Sequence, residues 1–515
     1  MDSNSRTKKS LLNMQVNLIC YFISLVVNFF ARNVFLQQLG EEFVGLSTTF
    51  QSLLGFLNIA EMGIAAAIAF LLYKPIYNND RKQICELISV FGYIYRIIGI
   101  FVLSAGIVLS FFLPNLYPNT NFSRIILYFG FYSYLCSSLL TYFVNYKQTL
   151  FSADQRNYEI LGYYKAMTVA KMIVQMALVM LTRNCILYFL MEVVFGVIYS
   201  MILVFRVKKV YPWLDTDISA GKRLIKKYPL VKEKVGQVFA HKLGGFFQFQ
   251  LLPILIYKFV SLSLVALYTN YTTLTLALSS MMSSIVTSTT AGVGSLIAEG
   301  NQEKIYNTFK KLLAVDFLFA CIFSACIYKF SSGFVSCWLG NQYVLDDVVV
   351  FLIAVQFFFS LYRDCVGQFI AGFGLYGDVW APFVEAGLFL LFSLILGYQF
   401  GLKGVLLGPI VSMFLVIHIW KPFYLYSRGF KLPFYKYWLL FVVHLGINVF
   451  SFLLSSAVLE ILEHYLQIAN KWLSWFVNAS VFFVLISVLS VMFTAIIFKD
   501  FRGLLLTHSK KFFRF

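Results

Sequence analysis

The sequence predicts an all-α, polytopic membrane protein of about 14 transmembrane helices, in two pseudo-repeated six-helix lobes around a central cavity. Three observations predict it. The 515 residues are 60% hydrophobic and only 12% charged, with a mean hydropathy of +0.78, whereas a soluble domain is about a quarter charged. Apolar runs of spanning length recur along the whole chain. The loops between them alternate in charge, which is the signature of chain reversal across a bilayer.

A spanning helix needs about 20 mainly apolar residues. That rule places spans near 14–36, 46–72, 87–112, 124–147, 160–181, 185–205 and 239–259. The second half continues with 264–292, 312–330, 348–370, 382–400, 404–424, 437–459 and 473–498. The first span follows a basic flank, but it is too long for a signal peptide and no A-x-A site follows, so it is read as a retained helix. No stretch alternates at period two for long enough to suggest a barrel.

Charge fixes the orientation. With the N-terminus inside, cytoplasmic segments collect Lys74, Arg81 and Lys82; Lys147 and Arg156; Lys304, Lys310 and Lys311; and Lys421, Arg428, Lys431 and Lys436. The segment from Arg206 to Lys234 holds nine basic residues. External loops receive about one each, such as Arg124, Arg183, Lys258 and Lys403. Much of the net charge of +18 is therefore topology rather than affinity for nucleic acid. Both termini are expected in the cytoplasm.

An offset of 221 residues keeps spans two to five in step with eight to eleven. It sets "FVGL" (43–46) on "LVAL" (264–267) and "DRKQI" (80–84) on "NQEKI" (301–305). The organisation expected is a six-helix lobe over 1–208, a basic linker over 209–234 and a second six-helix lobe over 235–430. Two further spans and a basic tail fill 431–515. Repeats of this kind are common in secondary transporters, with the substrate between the halves.

Helical phase groups the polar residues of several spans on one face, because i, i+3, i+4 and i+7 are neighbours. Span one carries Asn13, Asn17, Ser24, Asn28 and Arg32; span two carries Ser47, Gln51, Asn58 and Glu61. Span four carries Ser133, Ser137, Thr141, Asn145 and Gln148; span eight carries Asn270 and Thr273; span ten carries Gln356, Ser360 and Arg363. Serine and threonine alone would suit helix packing. Amides and charges at depth are costly and face a polar interior. The candidate substrate-cavity residues are Asn28, Arg32, Gln51, Asn58, Glu61, Arg96, Lys171, Asn270, Gln356 and Arg363. Arg96, Lys171 and Arg363 would favour a phosphate or an acidic sugar. Arg363 and Asp364 are adjacent and suit a local pair, while Lys242, Asp316 and Glu385 lie near helix ends where they could snorkel.

Enzyme signatures are missing. There is no G-x-x-x-x-G-K-[ST] loop and no H-E-x-x-H. The eight cysteines lie mostly in apolar runs, with no C-x-x-C pair and no zinc spacing. Neither a cofactor nor a metal is called for. Transport without a nucleotide site would draw on an ion gradient, of protons or sodium, on the membrane potential or on the substrate's own gradient.

Several stretches together carry a family resemblance. "LGEEFVGL" (39–46), "AEMGIAAAIAFLLYKPI" (60–76) and "ADQRNYE" (153–159) stand in the first lobe. "HKLG" (241–244), "ALYTNY" (266–271), "WLG" (338–340), "GLYGDVWAPFVEA" (374–386) and "GLKGVLLGPIVS" (401–412) stand in the second. From about residue 10 to 430 the chain resembles the Wzx-type polysaccharide and O-antigen flippases, within the multidrug, oligosaccharidyl-lipid and polysaccharide exporter superfamily. The resemblance implies a multi-pass protein of the bacterial inner membrane that moves undecaprenyl-pyrophosphate-linked oligosaccharide repeat units outward by alternating access. It implies a place in surface polysaccharide or lipopolysaccharide biosynthesis, beside polymerase and chain-length proteins. Where many relatives have Thr-Asp in span seven, this chain has Leu251-Leu252 before Pro253, so no acidic site is expected there. Two rivals remain. A multidrug or cation exporter of the same superfamily would want a net acidic pocket. A polysaccharide polymerase or ligase would want a large external loop, and the longest here is about 331–347.

Overall fold

The computed structural model describes residues 23–503, except for 229–249, most of 59–77 and the isolated positions 119, 155, 157, 376, 466, 467, 499 and 500. Among the described residues there is no strand. Each predicted span meets a helix: α1 (23–39), α2 (Glu41–Leu57), α3 (Arg81–Leu116), α4 (Arg124–Phe143), α5 (Tyr158–Thr182), α6 (Cys185–Val210) and α7 (Gln250–Phe259). The order continues with α8 (Leu262–Ala298), α9 (Gln302–Trp338), α10 (Asp347–Gly372), α11 (Ala381–Phe400), α12 (Leu402–Phe430), α13 (Tyr435–Tyr465) and α14 (Lys471–Ile497). Ten of these are long and apolar enough to cross a membrane, so the chain is a multi-pass membrane protein.

The helices start where the sequence supplies a cap. Asp80, Ser123, Asn184, Asn301, Asp346 and Asn470 each accept a backbone N–H two or three residues on, at 2.8–3.4 Å, opening α3, α4, α6, α9, α10 and α14. These bonds satisfy donors that a helix start leaves unpaired. Ser123, Asn184, Asp346 and Asn470 sit at loops short enough that the flanking helices form hairpins, α3–α4, α5–α6, α9–α10 and α13–α14.

The chain divides into two compact units, residues 1–266 and 267–515. In the first, α2, α4 and α6 meet through rings: Phe43 lies 5.2 Å from Phe189, and Phe50 lies 6.1 Å from Phe131. The core of the second is an aromatic stack built on Phe309, Phe317, Tyr362, Phe369, Tyr426 and Tyr437. Its last helix, α14, lies along α9, where Trp475 Nε1 donates to the Phe330 carbonyl at 2.9 Å. The two helices α11 and α12 approach so closely that a Cβ on Gly404 would land on the Leu396 carbonyl oxygen, and one on Gly408 would land on Ser393 Oγ. Gly404-x-x-x-Gly408 is thus a small-residue packing motif of the kind membrane helices use. α12 also carries two π-helical stretches, Phe414–Trp420 and Leu425–Phe430.

Candidate functional site

Five helices of the first unit bring their polar faces to one interior. On α5, Lys171 and Gln175 are one turn apart; on α6, so are Tyr188 and Glu192. The α5–α6 hairpin sets these pairs against each other. Lys171 Nζ donates to Glu192 Oε2 at 2.7 Å, and Gln175 Nε2 donates to Glu192 Oε1 at 3.0 Å and to the Tyr188 carbonyl at 3.0 Å. Both carboxylate oxygens are therefore held, and the side chains of Lys171 and Glu192 are 20% and 9% exposed. An ion pair this buried is sustained by such additional hydrogen bonds.

From α2, Gln51 Nε2 donates to Tyr134 Oη at 3.0 Å, and Ser47 Oγ shares a 2.7 Å hydrogen bond with the same hydroxyl. Arg32 on α1 donates from Nη2 to the Ala266 carbonyl at 2.9 Å, and Asn28 donates to the Ser24 carbonyl one turn earlier at 3.0 Å. Asn28, Arg32 and Gln51, expected from helical phase, and Lys171, expected from its depth, share the wall of one cavity of about 420 Å³ with Tyr134 and Glu192. Asn58 lies at the end of α2, where its Oδ1 accepts from Ser138 Oγ at 3.0 Å and Tyr142 Oη at 2.9 Å, tying α2 to α4.

A second and larger cavity, about 750 Å³, lies between α4, α5 and α6. The stripe Ser137, Thr141, Asn145 and Gln148 forms one of its walls. Lys171 and Glu192 line both cavities. Beyond α6, Tyr211 Oη donates to Asp154 Oδ2 at 2.9 Å. Burial first, and then the Asp154 carboxylate, push the Tyr211 phenol well above its ordinary range, so it stays a donor at neutral pH.

Arg96, Asn270, Gln356 and Arg363 are not among the residues that line these two cavities. Arg96 is exposed on α3. In the second unit Asn270 is fully buried on α8, Gln356 is half-buried on α10, and Arg363 lies 4.0 Å from the carboxylate of its neighbour Asp364. Glu61 and Lys242 lie outside the described residues. From sequence Glu192 counts among the ionisable residues at depth without a place in the cavity, and Gln175 and Tyr134 belong to no stripe. Their signal was present: an acid on α6 and a base on α5 at matching depth across a two-residue turn, each with a polar neighbour one helical turn away. Among the described residues no group of three His, Cys, Asp or Glu side chains is placed to hold a metal ion.

Several solved structures share this fold. The chain is similar to the lipid II flippase MurJ in an inward closed conformation, at 13% identity and a TM-score of 0.60, over 92% of this chain and 98% of that one. It is similar to an inward-facing multidrug resistance MATE family transporter of the MOP superfamily, at 14% identity and a TM-score of 0.56, over 80% and 98%. It is also similar to a MATE structure in a bent conformation, at 12% identity and a TM-score of 0.52, over 82% and 96%. No protein-family model and no curated protein sequence matches the chain. These structural neighbours are transporters and flippases rather than enzymes, and the chain shares their fold.

Proposed function

We propose that the chain is a flippase for undecaprenyl-pyrophosphate-linked oligosaccharide repeat units, working by alternating access in the bacterial inner membrane. The observation that carries this reading is the chemistry of the first unit's interior. It is walled by amides, hydroxyls and phenols, and among its described residues the carboxylate that lines both cavities, Glu192, is already matched by Lys171. Such a surface suits a polyhydroxylated cargo. A drug-cation exporter would need a carboxylate left over for its substrate, as attraction to a cation requires uncompensated charge. The neighbour that is a lipid flippase supports the same reading, since its likeness extends over 92% of this chain, against 80% for the inward-facing multidrug transporter.

On this reading Asn28, Arg32, Gln51, Asn58, Glu61, Arg96, Lys171, Asn270, Gln356 and Arg363 belong to the transport cavity. A proton or sodium gradient drives the cycle. Polymerase and chain-length proteins receive the product for surface polysaccharide or lipopolysaccharide assembly, and both chain termini face the cytoplasm.

The test is deletion in a strain with no second flippase. Surface glycan should be lost, and lipid-linked repeat units should accumulate where an enzyme or label confined to the inner leaflet can reach them. Normal surface glycan without accumulation rejects the reading.

A further inference from the structure

The larger cavity of the first unit has a wall that specifies its occupant more closely than "a saccharide". Its polar groups are Thr141, Asn145, Gln148, Thr168 and their hydroxyl neighbours, and its charges are Lys171 and Glu192, which neutralise each other at 2.7 Å. Two tyrosines, Tyr164 and Tyr199, stand edge to face in the wall with centroids 5.1 Å apart. Asn145 stands in the same wall and is 6% exposed.

An uncharged pyranose meets each of these conditions. Its hydroxyls both donate and accept, as the opposing Ser, Thr, Asn and Gln groups do. Its C–H face packs on aromatic rings. A volume of about 750 Å³ lies within the range of small-molecule sites, about 300–1,000 Å³. A phosphate or a uronic acid fits poorly, because the cation of the wall is already paired.

We propose that the cavity between α4, α5 and α6 is a binding site for a neutral sugar residue of the transported saccharide, with Thr141 and Gln148 hydrogen-bonding its hydroxyls beside the rings of Tyr164 and Tyr199. This rests on the flippase reading and deepens it. It places recognition of the sugar inside one lobe and leaves the pyrophosphate to other groups.

Two arms test the proposal with the full-length protein. In lipid nanodiscs, saturation-transfer NMR is run with three neutral disaccharides, cellobiose, lactose and diacetylchitobiose, and with digalacturonic acid. At least one neutral probe should bind and digalacturonic acid should not. Gln148→Leu should weaken that binding about tenfold, the value of one lost hydrogen bond. Thr141→Val, which keeps the side-chain shape, should weaken it in the same direction. In cells, both variants at wild-type membrane levels should lower surface glycan. If no neutral probe binds, if digalacturonic acid binds as well as they do, or if both variants bind and export like wild type, the sugar site is rejected and the cavity is a water-filled passage only. That outcome leaves the flippase reading standing, because the flippase reading fails on the deletion strain and not on these variants.

Discussion

Lys171 shows how a residue can be found by sequence and still be given an incomplete role. Its depth on a predicted span marked it as a charge facing the interior, and from sequence it stood as a free cation for a phosphate. The structure places Glu192 at 2.7 Å and makes the pair neutral. The partner was hard to read because phase analysis works one helix at a time, while this contact crosses a hairpin. The consequence is measurable. Removing one member leaves the other buried and uncompensated, which costs about 3 kcal/mol at sites of this exposure. Glu192→Gln should therefore unfold at markedly lower temperature in detergent, read by fluorescence-detected melting. The double variant Lys171→Gln, Glu192→Gln should recover most of the loss, since two amides can hydrogen-bond without a stranded charge. A double variant no more stable than the single would show that the pair is not the stabilising unit.

At the scale of helices, span positions were legible and helix lengths were not. The apolar window 312–330 sits inside α9, which runs from Gln302 to Trp338. Hydropathy measures the hydrocarbon layer, about 30 Å, whereas 37 residues of helix reach about 55 Å. The polar turn with Glu303, Lys304, Lys310 and Lys311 extends the helix beyond what an apolar window can register. The π-helical stretches of α12 had no compositional cue at all, since they depend on how the helix is packed. The glycines of the same helix were visible in "GLKGVLLGPIVS", and their spacing has a structural meaning. Gly404→Ala should place a methyl group against the Leu396 carbonyl and force α11 and α12 apart, at a cost of about 1–3 kcal/mol or more. Gly387→Ala on α11 meets nothing within 4 Å and should be neutral or slightly favourable, because alanine is the better helix former. The amount of folded protein recovered from the membrane separates the two. Equal recovery would mean that the α11–α12 contact does not depend on the missing Cβ of Gly404.

Across the whole molecule the strongest expectation is the orientation of the chain, because it follows from an even count of spans and a charge bias repeated loop by loop. Each lysine or arginine near a span end resists translocation, so the short loops with several stay inside and those with about one go out. Starting with the N-terminus inside, α3 must exit toward the loop at 117–123, α6 must return to the basic segment after Val210, and α9 must exit toward 339–346. The loop after α13 is then external, and α14 returns the C-terminus to the cytoplasm. Reporter fusions after residues 118, 225, 340 and 468 should accordingly read outside, inside, outside and outside. The position after 225 decides most, since eight basic residues from Lys208 to Lys234 lie in one segment and none of the external loops approaches that number. An external signal there would shift every later helix by one crossing and put the α11–α12 turn, with Lys403, on the cytoplasmic side. It would also break the correspondence between the two lobes that the 221-residue offset requires, because spans two to five and eight to eleven must cross in the same directions to be repeats of one another.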